Sequence, residues 1–451
     1  MAGKQTAVDM THGPLAKKIL FFALPLAASS VLQQLFNAAD LAVVGRFANA
    51  QAMAAVGSNG AVINLLVSLF VGMSVGANVL IGNLIGAGHR ERVREAVHTS
   101  VLLALVAGIF LLGLGIILTP FILRLMSAPE DVMALAILYL RIYFCGMPAI
   151  MMYNFAAAIL RSKGDSKRPF YSLTAAGILN VALNLLFVVV FHLSVVGVAL
   201  ATVISNYFSG ILTMLFLIRE KDEFHLEPGK LLFFFRRPYL VKVLQIGVPA
   251  GLQGMVFSLS NVVIQTAVNS FGANCIAGMT AAQNVDFISY CFLNAFSQAT
   301  VTFVSQNYGA GNIGRCRRVL RTALIMGVGL DMVLVACLYL ARVPFISFFT
   351  KDPNVVSYAM IRVTYSGLFH FMCATYEIPA GAMRGMNRSM VPALISMLGT
   401  CAFRLLYVFT YFPAHRSVET LVMVYPLSWV MTCIVMNTAC QLVFRKAEKK
   451  T

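Results

Sequence analysis

Four acidic side chains lie well inside long apolar stretches of the chain: Asp40, Asp286, Asp331 and Glu377. A charge held at the depth of a bilayer is costly, so an ionisable residue kept there is a candidate for function. Asp40 follows an interior Pro25 on the same stretch. A carboxylate there can hold a proton or a sodium ion, and competition between that ion and a second solute gives exchange transport. Its structural alternative is a helix-end anchor beside Arg46. Glu377 lies seven residues before Arg384 and offers a second titratable group or a counter-ion for a cationic substrate. A salt bridge to Arg362 or Arg404 is equally open for it. Asp286 sits in AAQNVDFISY next to Gln283 and Asn284, a polar cluster that reads as a cavity wall or as a packing contact. Asp331 has apolar neighbours and reads as a structural pair or an interfacial group. Arg141, Arg362 and Arg404 read as structural partners, and His370 as a packing residue. Gln33, Gln34, Asn37 and Gln253 are polar positions on the first helix of each half and are further cavity candidates.

The elements that carry these residues are membrane helices. The chain has 451 residues, 59% hydrophobic and 11% charged, against roughly 25% charged in soluble domains. Charge-free runs such as 101–119 exceed the length needed to cross a bilayer. Twelve spans are expected: 17–45, 52–82, 93–121, 131–158, 168–191, 194–218, 238–268, 275–303, 314–341, 354–381, 389–412 and 418–444. The fold class is therefore an all-α membrane protein of twelve helices in two pseudo-symmetric six-helix lobes, 1–218 and 238–451. A polar cytoplasmic linker, 219–237, separates them.

The net charge of +17 does not point to nucleic acid, because the bases sit in short connections and form no continuous face. With the N-terminus inside, 26 Lys and Arg fall in inner segments and five in outer ones. That bias places both termini in the cytoplasm. The nine Cys are scattered singly and imply neither disulfides nor a zinc site. The halves also repeat. Pro25 answers Pro249. GNLIGAGHRERVR (82–94) answers QNYGAGNIGRCRR (306–318). ILRSKGDSKRP (159–169) answers AMRGMNRSMVP (382–392), with Arg161 matching Arg384 and Pro169 matching Pro392. The offsets are 224, 223 and 223. An even helix number in each half inserts both the same way up, as in parallel-repeat transporters.

These segments, in this order and duplicated, resemble the multidrug and toxic compound extrusion (MATE) family over essentially the whole chain. LPLAASSVLQQLFNAADLAVVGRF looks like that family's opening helix. The GAG turn is similar to its loop between helices 2 and 3, and ILRSKGDSKRP to its signature between helices 4 and 5. The resemblance implies export of organic, cationic compounds in exchange for protons or sodium. It also implies a cation site in the N-terminal lobe made by Asp40, Asn180, Asn184 and Thr202. Asn180 and Asn184 are i and i+4 and share a helix face, with interhelical hydrogen bonding as their plain alternative. Asn184 stands where the family usually has Asp. Its carbonyl can ligate sodium but cannot take up a proton, so the ion stoichiometry is open. Some branches of the family carry a Glu on helix 7, and residues 238–268 contain none.

The HExxH motif of a zinc-dependent hydrolase and the P-loop of an ATP-driven pump do not occur. No cofactor is expected beyond H+ or Na+ as coupling ion. A monomer in a bacterial inner membrane is the expected state, with small-molecule organic cations and lipid as partners. The alternatives are a flippase for lipid-linked oligosaccharides, which would need a more cationic cavity, or a metabolite exporter.

Overall fold

The computed structural model describes residues 8–47, 50–125, 130–349 and 352–449. Lys4, Lys351 and Lys450 of the charge count lie outside them. Every regular element among the described residues is helical. In the first half these are α1 (Leu15–Phe47), α2 (Ala50–Gly86), α3 (Arg90–Leu125), α4 (Glu130–Cys145), α5 (Met147–Lys163), α6 (Lys167–Asn184) and α7 (Ser194–Ile218). The second half holds α8 (Arg237–Asn269), α9 (Ala273–Gly309), α10 (Ile313–Leu340), α11 (Arg342–Phe349), α12 (Pro353–Tyr365), α13 (Met372–Gly385), α14 (Met390–Ser396), α15 (Phe403–Ala414) and α16 (Val418–Glu448).

Each of the twelve expected ranges falls on a helix or on consecutive helices, three of them on broken pairs. The fourth is α4 and α5, bent by 44° at Gly146. The tenth is α12 and α13, broken around a 3-10 turn at Gly367–Phe369. The eleventh is α14 and α15, joined through a π-helical stretch at Met397–Ala402. Among the described residues ten helices are long and apolar enough to cross a membrane, or eleven with the bent pair as one span. Ile117, Leu340 and Phe409 are 74%, 81% and 69% exposed. Such side chains belong against lipid, and helices with internally paired backbones are what lipid allows.

The sequence repeat is a repeat of backbone geometry. After α2 the chain turns at Gly88, φ 74°, and after α9 at Gly311, φ 73°. His89 N–H donates to Leu84 O at 3.0 Å, and Asn312 N–H donates to Asn307 O at 2.9 Å. Both are helix ends closed by a left-handed residue, which glycine adopts without steric cost. After α5, Gly164 has φ 102°. Its partner 223 residues on is Asn387, φ 61°, and Asn is a side chain that tolerates this region. The bond Asp165 N–H to Leu160 O is matched by Arg388 N–H to Met383 O, at 3.0 and 2.9 Å.

Two compact units form. The first holds Ala28–Gly251. Its core is built on α5, where Ala156, Phe155 and Ile159 are fully buried against α2, α3 and α7. The connection 219–237 is more than a surface linker. Phe224 and Leu226 insert into this core, each burial stabilising by about 1.5–3 kcal/mol. Lys163 pairs with Glu220 at 2.6 Å and with Asp222, and Arg236 pairs with Glu95 at 2.8 Å. The second unit holds Asp9–Ala27 and Leu252–Thr451. There Met10 is fully buried. Its carbonyl accepts from Asn307 Nδ2 at 3.1 Å and Arg315 Nε at 3.2 Å, which straps the segment before α1 to the α9–α10 turn.

Candidate cation site and cavity

Asp40, Asn180, Asn184 and Thr202 meet in the first unit. The i, i+4 spacing puts both Asn side chains on one face of α6, and a π-helical stretch, Leu185–Val190, begins immediately after Asn184. Such π turns often mark functional positions. Asn184 Nδ2 donates to Asp40 Oδ1 at 2.5 Å and to Asn180 Oδ1 at 3.2 Å. Thr202 Oγ1 lies 3.4 Å from Asp40 Oδ2 and accepts from Asn180 Nδ2 at 3.4 Å. The same hydroxyl reaches Val198 O at 3.0 Å. Its single proton serves one acceptor at a time. When it goes to Val198, a hydroxyl lone pair is left for the site.

Asp40, Asn180 and Asn184 are buried. Among the described residues no Lys, Arg or His pairs with Asp40, and Arg46 is exposed, so the carboxylate is met by neutral groups only. Asn184 Oδ1 is buried without a hydrogen-bond partner. The donor set offers a carboxylate, two amide oxygens and a hydroxyl, and oxygen ligands of this kind suit hard cations. Gly177 on α6 makes the approach of α1 possible, because a Cβ there would overlap the Phe36 ring.

The cluster opens into a cavity of about 480 Å³. Gln33 and Asn37 line it, together with Asp40, Asn180 and Thr202; Gln34 does not. Sequence reasoning missed the wall made by Tyr139, Tyr143 and Tyr153, and the polar row of Ser205, Asn206 and Ser209. That row had a signal: Thr202, Ser205, Asn206 and Ser209 follow i, i+3, i+4, i+7 spacing, one stripe of α7.

The acids of the second unit are arranged differently. Asp286 pairs with Arg362 Nε at 3.0 Å, and the Arg362 guanidinium lies over the Tyr425 ring. Asp331 faces His370 Nδ1 at 3.2 Å, so the expected structural pair is present and His370 is its other half. Arg404 donates to Ser428 Oγ at 3.0 Å. Neither base suggested for Glu377 therefore reaches it, and among the described residues its carboxylate forms no ion pair. Gln253 accepts from Arg384 Nη2 at 2.8 Å. Gln283 and Asn284 are exposed, and Asn284 Nδ2 bonds the Thr280 carbonyl of its own helix.

The family model MatE matches residues 25–186 and 249–410, two copies set 224 residues apart. A Bacillus subtilis relative named probable multidrug resistance protein YoeA is 30% identical over 84% of this chain and 83% of its own. A Thermotoga maritima relative, probable multidrug resistance protein NorM, is 28% identical over 87% of this chain and 84% of its own. The crystal structure of a MATE protein in complex with MaL6 is similar in fold, with a TM-score of 0.91 at 20% identity. It spans 99% of this chain and 100% of that one.

Proposed function

The chain belongs to the MatE family of membrane transporters, and we propose that it is a secondary efflux antiporter that exports organic cations in exchange for protons or sodium ions. The observation that carries this reading is Asp40: a buried carboxylate with neutral partners only, on the wall of a cavity large enough for a drug-sized solute. An uncompensated carboxylate is open to one positive charge, and the coupling ion and an organic cation compete to supply it. Tyr139, Tyr143 and Tyr153 give a cationic solute aromatic faces.

The residues accommodate either ion. Turning over the Asn184 amide brings its unpartnered oxygen toward Asp40. That oxygen then shares a sodium ion with the carboxylate, Asn180 Oδ1 and Thr202, or it accepts a proton carried by Asp40. In both cases Asp40 changes its hold on α6 and α7. Pro25 lacks the backbone donor an unbroken helix would use, so α1 can bend in response and expose the cavity to alternate sides. We place the protein in a bacterial inner membrane as a monomer, because both pseudo-symmetric lobes lie in one chain, and put both termini in the cytoplasm on the strength of the 26-to-5 charge bias.

The test is dye transport by purified protein in liposomes, under an imposed proton gradient and then a sodium gradient. Transport under one gradient names the ion. A panel of cationic dyes that moves under neither removes the antiport reading.

A further inference from the structure

We propose that Asp331 and His370 form a proton-binding site of their own in the second unit, loaded through the water-sized cavity beside His370. Asp331 is 1% exposed. One carboxylate oxygen faces His370 Nδ1 at 3.2 Å, and the other, Oδ1, has no hydrogen-bond partner. With a neutral imidazole the pair carries one uncompensated negative charge in the interior, a costly state. One added proton turns it into a neutral imidazolium–carboxylate pair. Histidine is the side chain whose proton exchanges near neutral pH.

A route for the proton is present. A cavity of about 20 Å³ is lined by His370, Asp286, Ser289 and Gly367, room for about one water. Charged groups on the surrounding elements, Glu377 excepted, are already engaged. Asp286 on α9 is neutralised by Arg362 on α12. Arg404 on α15 holds Ser428 and lies over the Phe257 and Tyr425 rings. Arg342 on α11 donates to Tyr339 O at 2.7 Å. Glu377 on α13 forms no ion pair among the described residues. His370 is therefore the only base paired with Asp331 there.

The location gives the proton something to act on. His370 lies in the break between α12 and α13, and Asp331 lies on α10. The pair ties the broken span to its neighbour, and its protonation sets the strength of the tie. The matching break in the first unit, at Gly146, has Met147 where His370 stands, so the site belongs to one half of the repeat.

Trp429 is the chain's only tryptophan, and the His370 ring meets it edge-on with centroids 5.9 Å apart. An imidazolium quenches a neighbouring excited indole far more strongly than neutral imidazole does. Tryptophan emission of the purified full-length protein would be titrated between about pH 5 and 8. The expected result is a single fall toward acid, absent in His370→Gln. In Asp331→Asn the fall moves toward acid or leaves this range, because the imidazolium has lost its counter-charge. A flat wild-type curve, a transition that survives in His370→Gln, or an unmoved transition in Asp331→Asn each overturns the proposal. The readout needs no substrate and no gradient, so it stands or falls separately from the antiport reading.

Discussion

The two halves share their turns, their broken spans and their offset, yet Asp40 and Asp286 are answered in opposite ways. In the first unit Asp40 is met by an amide and a hydroxyl. In the second, Asp286 and Asp331 each face a base. At the 224-residue offset Asp40 corresponds to Ile264, which is buried in an apolar cluster with Val268, Cys275 and Met279. In the register of Pro169 and Pro392, Asn180 and Asn184 correspond to Phe403 and Tyr407. The fold was thus duplicated without its polar cluster. An acid paired with a guanidinium, as Asp286 is, has its charge already answered and serves stability, whereas an acid among neutral groups keeps its charge for a ligand, and Asp331 beside an imidazole keeps its charge until His370 takes up a proton.

The sharpest way to break that contrast is to neutralise one acid from each unit. Asp40→Asn should abolish gradient-driven dye transport, down to the level of empty liposomes. Its cost in stability should stay within about 1.5 kcal/mol, the scale of one hydrogen bond. Asp286→Asn should do the reverse in kind. It leaves the Arg362 guanidinium buried without its counter-charge, which costs about 3–5 kcal/mol, read as a lowered thermal unfolding midpoint in detergent. If Asp40→Asn proves the more destabilising of the two, the division of labour between the units is wrong.

How far the sequence could see these features depended on distance along the chain. The repeated turns were legible because Gly88 and Gly311 do their work locally, within one turn. The α6 half of the cation cluster was legible as i, i+4 spacing, and its link to Asp40 and Thr202 came from family resemblance. The pairings of Asp286 with Arg362 and of Asp331 with His370 were not legible. They join residues 76 and 39 positions apart, and no local pattern selects one base over another. The same holds for the tyrosine wall of the cavity, since aromatic residues in an apolar helix look alike whether they face lipid or a cavity. The break at Gly367–Phe369 was hidden because the flanking segments remain apolar and helical.

A smaller effect tests the support behind the cluster. Gly177→Ala places a methyl group where the Phe36 ring packs. Overpacking of this kind costs about 1–3 kcal/mol, and because Phe36 lies one turn before Asp40 it should also weaken ion-driven transport. Unfolding midpoint and transport rate should therefore fall together. A lowered midpoint with full transport would mean that the position of α1 does not control Asp40.

The smallest expected effect is the most specific. Thr202→Val keeps the shape of the side chain and deletes only the hydroxyl that joins Asp40, Asn180 and the Val198 carbonyl. Losing one such contact is worth about 0.5–1.5 kcal/mol, or roughly a two- to twelve-fold rise in the coupling-ion concentration that gives half-maximal transport. The matched control is Thr400→Val in the second unit, where the hydroxyl meets Thr432 Oγ1 at 3.2 Å in a buried contact with no acid in it. That change should lower the unfolding midpoint and leave the ion dependence where it was. An equal shift in ion dependence from both variants would mean that the hydroxyl of Thr202 acts on packing alone, and that the contrast between the two units rests on Asp40 and Asn184 without it.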